Sequence, residues 1–278
     1  MKMIFALKWL ACGLLMLCGP AQAAISCTVA SNGFTSAYST SAPATNITSA
    51  SITMSCTRGL STDPTSQSFS VKVNNGLQPS GVNNQAASGA NRLRYDLFLD
   101  SACTATWKGG TTLGGTINFP GGSSDFFSRS LTLPYWGCIA PGLNPPAGTY
   151  TDTVTLTPTP GAPATFGVTI ITPAACSIST SPGNIVFNYA SFQAGIASAS
   201  TTFATTCSAN LPYTMALDAT SGTLIGLNYT LSLGASSATG TGAVQTFSIN
   251  GAIASGQSGS CSTGTCAGST ARTLTITY

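Results

Sequence analysis

The sequence contains no histidine and no glutamate, and only 5% of its 278 residues are charged. Histidine is the most common general base, and binding of nucleic acid or an anionic membrane requires clustered Lys and Arg. These absences argue against an enzyme, a nucleic-acid-binding protein or a cofactor site. The acidic residues are all aspartates and lie far apart: Asp63, Asp96, Asp100, Asp125, Asp152 and Asp218.

Two of these aspartates keep one catalytic alternative open. Asp96 and Asp100 are four residues apart and share the phase of a strand. Paired carboxylates are the groups that glycoside hydrolysis needs. Asp100 lies near a predicted turn, however, where a solvated side chain is the simpler interpretation. We therefore predict no catalytic and no metal-binding residues.

A long apolar run occurs only at the start of the chain. Lys2 and Lys8 precede the apolar residues 10–17, and Ala21-Gln22-Ala23 is a small-residue cleavage site. This pattern is typical of a secretory signal peptide, residues 1–23, with a mature chain that begins at Ala24 and is soluble after export. Lipoprotein processing at Cys18 is disfavoured because Leu17 is not the small residue that it prefers.

Eight of the ten cysteines follow this leader, an even number in an oxidising compartment, so we expect disulfide bonds. Zinc is a weak alternative without histidine, because Cys261 and Cys266 do not have CxxC spacing. A shuffled connectivity stays open. The expected pairs join residues within each half of the chain: Cys27–Cys56, Cys103–Cys138, Cys176–Cys207 and Cys261–Cys266.

Short alternating runs rich in Thr, Ser, Gly and Val predict an all-β protein, and the second half repeats the patterns of the first half in order. The most specific match is L-x-Y-x-L-x-L, which begins at Leu93 and again at Leu227. The other matches are the cysteine spacings, Phe69–Asn74 with Tyr213–Asp218, Gly137–Gly142 with Gly251–Gly256, and Val154–Leu156 with Leu274–Ile276.

The repeat predicts two tandem antiparallel β-sandwiches with an additional strand between them. Phe166, Val168 and Ile170 alternate with small or polar residues after a strand that Pro158 and Pro160 should close. No such strand follows the second repeat. We expect domains at residues 24–160 and 176–278 and a connecting strand within 161–175.

The shared motifs, together with Thr106–Gly110 and the closing Gly148–Val154, resemble the spore coat protein U domain, a family that includes subunits of archaic chaperone–usher pili. The second repeat departs from the family pattern, because it lacks the tryptophan stretch and has Ala271-Arg272-Thr273 before its last strand. The resemblance implies immunoglobulin-like sandwiches that lack their last strand. In such subunits a chaperone, and then a neighbouring subunit, supplies the missing strand.

On this resemblance, Phe166, Val168 and Ile170 form a donor strand for the first domain of the same chain. Leu274, Ile276 and Tyr278 form an acceptor edge that needs a periplasmic chaperone, the outer-membrane usher and an adjacent subunit. Only Ala24-Ile25-Ser26 precede Cys27, too few to donate. We therefore expect a tip subunit that is exported through the periplasm to the cell surface and mediates attachment or biofilm formation.

Three alternatives stay open. A secreted coat or matrix protein would use strand exchange to build a layer, and a shaft subunit would occupy other positions in the fibre. Leu274, Ile276 and Tyr278 would be an ordinary terminal strand if the second domain is self-sufficient.

Aromatic residues and prolines in the longer loops of the first domain are candidate contacts with a surface or a glycan. We expect Trp107, Phe119 and Tyr135 in the core, because each has strand-compatible spacing. The candidates for exposed adhesive contacts are Phe126, Phe127, Trp136 and Pro145.

Overall fold

A computed structural model of the protein describes residues 25–40, 42–122, 124–262 and 264–278, and every regular element in these ranges is a β-strand. The prediction of an all-β protein is confirmed. No helix in these ranges is long and apolar enough to cross a membrane. The predicted signal peptide, residues 1–23, lies outside the described residues.

The described part of residues 25–172, called here the first half, contains ten strands. Their bounds are β1 Ser26–Ser31, β2 Phe34–Ala37, β3 Asn46–Thr57, β4 Ser66–Val73, β5 Asn84–Ser88, β6 Asn91–Phe98, β7 Leu113–Asn118, β8 Ser128–Ile139, β9 Gly148–Thr159 and β10 Ala164–Thr172.

In residues 176–278, the second half, the described residues form eight strands. Their bounds are β11 Cys176–Thr180, β12 Ala197–Cys207, β13 Pro212–Leu217, β14 Ser221–Leu224, β15 Leu227–Leu233, β16 Ser237–Thr239, β17 Val244–Ile253 and β18 Leu274–Thr277. No strand of this half pairs with a strand of the first half within the described ranges.

Each half contains two strand layers. In the first half, one layer has the order β1-β3-β8-β6, and the other contains β2, β10, β9, β4, β5 and β7. In the second half, the order β11-β12-β17-β15-β14 faces the three strands β16-β13-β18. Alternating apolar side chains point inward from both layers, as the strand period of two requires.

One strand pair departs from the predicted antiparallel arrangement, because β2 runs parallel to β10. The chain passes from β1 in one layer to β2 in the other without reversing direction. Gly33 makes the bend with a φ of 68°, and a Cβ atom there would clash with the carbonyl oxygen of Gly167. Glycine is therefore required at this crossing.

The strand pairing relates the two halves residue by residue. Leu97 lies opposite Gly137 in the first half, and Leu231 lies opposite Gly251 in the second half. Two predicted matches disagree by two residues, and we keep the match of Val154–Leu156 with Leu274–Ile276 because Tyr229 contacts Arg272 as Tyr95 contacts Asp152. Leu156 lies opposite Val73, whereas Ile276 lies opposite Met215, so Val73 corresponds to Met215 and not to Leu217. A shift of two residues preserves the inward face, which is why the sequence pattern did not reveal it.

The strand before β10 is longer than predicted. β9 continues through Pro158, which lies opposite Val71, to Thr159. The structure contains the disulfide bonds Cys27–Cys56, Cys103–Cys138, Cys176–Cys207 and Cys261–Cys266.

Phe166→Ala should lower the free energy of unfolding of the first half by about 3–5 kcal/mol, because it leaves a cavity beside Tyr135 in a closely packed core. Thr165→Ala is the matched control, since Thr165 is the exposed neighbour on the same strand. Chemical denaturation of the mature chain measures both. Equal small effects of the two changes would contradict the placement of Phe166 in the core.

Candidate strand-acceptor site

The strand β10 fills a groove in the first half. It runs antiparallel to β9 on one side and parallel to β2 on the other. Phe166, Val168 and Ile170 are 3%, 1% and 0% exposed, and the rings of Phe166 and Tyr135 are 5.5 Å apart. The three side chains join one continuous core that contains both layers.

The second half has both neighbours of such a strand. β18 corresponds to β9, because it pairs with β13 as β9 pairs with β4. The segment 184–188 corresponds to β2: Phe187 packs on Gly251 as Phe34 packs on Gly137, with no room for a Cβ atom at either glycine.

No strand lies between these two neighbours within the described part of the second half, and β18 pairs with β13 alone. We call the space between β18 and the segment 184–188 the acceptor groove. On one side of this groove β18 is only four residues long, and on the other side the segment 184–188 forms no strand. Both features are expected when the strand between them is missing.

The core of the second half reflects the missing strand. Its buried residues fall into two clusters, one around Phe203 and Met215 and the other around Tyr229 and Leu231. Ile185 and Leu217 pack against both clusters but are themselves only partly buried. A strand with inward apolar side chains would cover this junction, as β10 does in the first half.

The predicted acceptor residues lie along this groove. Leu274 and Ile276 are half-buried and pack against the first of the two clusters, and Tyr278 is 59% exposed. Val154 and Leu156, on the corresponding strand of the first half, are fully buried beneath β10. The apolar face of β18 is thus formed but incompletely covered.

A polar pair lies at one end of each groove. In the first half, the hydroxyl of Tyr95 donates to Oδ2 of Asp152 at 2.7 Å, while Oδ1 of Asp152 accepts from the N–H groups of Leu77 and Thr153 at 2.8 Å. Burial, and then the hydrogen bond to Asp152, raise the pKa of Tyr95 above its ordinary value. All partners of this buried carboxylate come from its own half.

In the second half, the position equivalent to Asp152 is occupied by the basic residue Arg272. Nε of Arg272 donates to the hydroxyl of Tyr229 at 2.9 Å, and Nη2 donates to the carbonyl of Ser221 at 3.2 Å. Tyr229 corresponds to Tyr95 through the repeated L-x-Y-x-L-x-L motif. Arg272 corresponds to Asp152, because Arg272 lies four residues before Ile276 and Asp152 lies four residues before Leu156. Oδ2 of Asp218 is 3.8 Å from Nη1 of Arg272.

The candidate adhesive residues do not form one exposed surface. Phe126 is 78% exposed, Phe127 and Trp136 are half-buried, and Pro145 is buried. The expectation that Pro145 is exposed is wrong. Tyrosine hydroxyls fold its loop inward: Tyr38 donates to the carbonyl of Leu143, and Tyr150 donates to the carbonyl of Pro146.

Phe126 is held in a defined loop. It has a φ of 57°, and Oδ1 of Asp125 accepts from the N–H of Ser61 at 2.6 Å. Arg58, 1% exposed, lies beneath this loop over the ring of Phe119. Leu60 on the adjoining turn is 41% exposed. Phe126 and Leu60 are therefore apolar side chains on two loops that are tied together.

The aromatic residues predicted for the core lie there, with Trp107, Phe119 and Tyr135 at 0%, 3% and 0% exposure. Each of the paired aspartates has structural partners. Asp96 forms ion pairs at 3.2 Å with Lys108 and with Arg94.

The other member of that pair, Asp100, accepts from the hydroxyl and the N–H of Thr104, and these hydrogen bonds lower its pKa below the ordinary value. The described residues contain no group of three potential metal ligands.

Sequence reasoning missed two parts of the acceptor groove. The segment 184–188 forms no strand and has no repeat signature beyond Phe187. The pair of Arg272 and Asp218 had a signal in the composition, because these are the only charged residues in 176–278.

These features define a class of protein: two two-layer β-sandwiches in one chain, of which the first has its strand position filled by β10 and the second has no strand there within the described residues. The family model of the Spore Coat Protein U domain matches residues 15–157, just over half of the chain. The chain belongs to this family. The match covers the first repeat, and no curated protein matches the chain.

Two solved structures that match this chain contain proteins described as tip adhesion subunits. A complex of the chaperone CsuC and the tip adhesion subunit CsuE, from archaic chaperone–usher Csu pili of Acinetobacter baumannii, matches at 14% identity and a TM-score of 0.46, covering 91% of this chain and 100% of that chain. The CupB6 tip adhesin from Pseudomonas aeruginosa matches at 10% identity and a TM-score of 0.35, covering 91% and 94%.

Amide hydrogens of 274–278 should exchange with solvent much faster than those of 148–159 in the isolated mature chain. β18 is a short edge strand with one partner, whereas β9 is paired along its length with β10. Mass spectrometry of the corresponding peptides measures the two rates. Equal protection of both segments would show that the acceptor groove is already closed.

Proposed function

We propose that the chain is the two-domain tip subunit of a chaperone–usher pilus, and that it is assembled by donor-strand complementation in the acceptor groove of its second half. The observation that carries this proposal is the contrast between the halves. The same groove contains β10 in the first half and no strand within the described residues of the second half.

The extent of the family match supports a donor role for β10. The match ends at residue 157, within β9, and β10 begins at Ala164. The strand that completes the first half therefore lies outside the matched domain and belongs to the segment that precedes Cys176. In pilus subunits the donor strand is the segment before the first cysteine of a domain, and β10 has this position relative to Cys176.

Tethering favours the filled state of the first half. Burial of each of Phe166, Val168 and Ile170 contributes about 1.5–3 kcal/mol. A strand on the same chain has an effective concentration of the order of millimolar and pays no translational cost. The first half thus needs no strand from another subunit, while the second half still does.

The tip position is supported by what the described N-terminal residues do. Ser26 begins β1 opposite Thr57, and Ile25 packs against the core of its own half. Both are used within the domain and are not available to a neighbour. We therefore propose the distal end of a linear fibre, the position of a subunit whose own N-terminal strand stays within its domain.

The proposed partners follow from this assembly route. A periplasmic chaperone covers the groove before assembly, the outer-membrane usher exports the complex, and the adjacent subunit then supplies its own strand. The protein reaches the cell surface at the tip of the pilus, where its first half mediates attachment and biofilm formation.

The proposal is tested by expressing the mature chain in a periplasm with a cognate chaperone and purifying the chain. We expect a one-to-one complex that is lost when Leu274, Ile276 and Tyr278 are changed to serine, because these changes remove the apolar face of β18. The matched control changes Ile178, Ile196 and Val244 to serine, three exposed apolar residues away from β18.

Retention of the chaperone by the β18 variant would contradict the proposed site. A stable wild-type monomer that never binds a chaperone would instead support the alternative of a free-standing coat or matrix protein. Immunogold labelling of pili separates the tip from the shaft, because a tip subunit is labelled once, at the free end.

Phe126 and Leu60 are proposed as an apolar adhesive contact of the first half. The double change of Phe126 and Leu60 to serine should reduce attachment of piliated cells to polystyrene severalfold. The free energy of unfolding should change by less than about 0.5 kcal/mol per site, because both side chains are exposed.

Val82→Ser is the control for this prediction, because Val82 is 63% exposed on another loop. Unchanged attachment by the double variant, with normal piliation, would exclude these two residues as the contact.

A further inference from the structure

We propose that Arg272 selects the strand that enters the acceptor groove, and that the selected strand carries a carboxylate side chain opposite Arg272. This inference rests on the proposed strand-acceptor function and adds the chemistry of its partner. It identifies Arg272 as a specificity-determining residue of the groove.

The register of the first half gives the position. β10 places Val168 directly opposite Asp152 on β9, with Phe166 opposite Val154. Arg272 corresponds to Asp152 and Leu274 to Val154. We consider a strand that enters the second half in the same register that β10 has in the first half. One of its inward residues then lies opposite Leu274, and the next inward residue lies opposite Arg272.

The distribution of charge makes this position unusual. Arg272 and Asp218 are the only charged residues in 176–278, and both lie at the groove. The remaining side chains of this half are all uncharged. Electrostatic selection of a partner by this half therefore depends on these two side chains.

The guanidinium of Arg272 is not fully satisfied within its half. Nε donates to the hydroxyl of Tyr229, and Nη2 donates to that hydroxyl and to the carbonyl of Ser221, whereas Nη1 lies 3.8 Å from Oδ2 of Asp218. That distance is too long for a hydrogen bond, and the side chain of Asp218 is 41% exposed.

The side chain of Arg272 is 28% exposed, so a strand laid over it would take the guanidinium out of contact with solvent, and an uncompensated buried charge is costly. A carboxylate on the entering strand provides the missing acceptor and forms a charge-assisted hydrogen bond. An apolar residue at that position leaves Nη1 without a partner, and a lysine adds repulsion. The groove therefore favours Asp or Glu at that position.

The first half would reject the same strand. Asp152 already accepts three hydrogen bonds, so a carboxylate opposite it would be left unpaired beside a like charge. The neutral Val168 avoids this repulsion. The groove of the first half carries Asp152 and accepts the neutral strand β10, whereas the groove of the second half carries Arg272 and favours a partner strand with a carboxylate.

The experiment extends the mature chain with a second copy of residues 159–172 joined directly to Tyr278. Tyr278 corresponds to Pro158, so this junction reproduces the connection from β9 to β10, and the copied Val168 faces Arg272. Thermal unfolding is measured with Val168, Val168→Glu or Val168→Lys in the copied strand only. The copied Thr165→Glu and Thr165→Lys are controls on its exposed face.

We expect the copied strand with Glu to raise the folding equilibrium constant of the second half about tenfold over the strand with Lys, a difference of about 5 °C or more in unfolding midpoint. Arg272→Gln should abolish the difference, Arg272→Glu should reverse it, and Arg272→Lys should retain it. The two Thr165 controls should not differ.

The outcomes separate the two proposals. If none of the three copied strands, with Val168, Glu or Lys, stabilises the second half, the acceptor groove itself is disproved, and the selection by Arg272 with it. If the copied strand stabilises the second half equally with Glu and Lys, the groove is supported and the role of Arg272 is wrong.

Discussion

The structure depends on one constraint, which is that the strand position between β9 and β2, or between their equivalents in the second half, must be filled. If this position is empty, the backbone hydrogen-bonding groups of the neighbouring strands lack partners and the core side chains beneath it are exposed. The first half meets this constraint with β10, whose Phe166, Val168 and Ile170 unite its core. The second half does not meet it within the described residues, and its core is divided into two clusters at the same place.

Much of this arrangement was predictable from the sequence. The alternation of Phe166, Val168 and Ile170 identified an additional strand, and the repeated L-x-Y-x-L-x-L placed Tyr95 and Tyr229 in equivalent strands. Inward-facing residues obey a period of two, which any alternating run reveals. The same period hides a shift of two residues, so the match of Val73 with Met215 appeared only from the strand pairing.

Other features depend on contacts between residues that are distant in sequence. Pro145 has the loop composition of an exposed residue but is buried because hydrogen bonds from Tyr38 and Tyr150 fold its loop inward. The crossing at Gly33 and the parallel pairing of β2 depend on where β10 lies. The exchange of Asp152 for Arg272 was visible in the sequence, but its place opposite the missing strand was not.

The central claim, one filled groove and one open groove in the same chain, is tested most directly by titrating the isotope-labelled mature chain with a synthetic peptide of residues 161–173 that carries Val168→Glu, the side chain that suits Arg272, and following backbone amide resonances. The account predicts one bound peptide per chain, with shifts confined to β18, the segment 184–188 and their neighbours, and none at β9 or β2. Shifts at β9 and β2 through displacement of β10, or no binding at all, would contradict it.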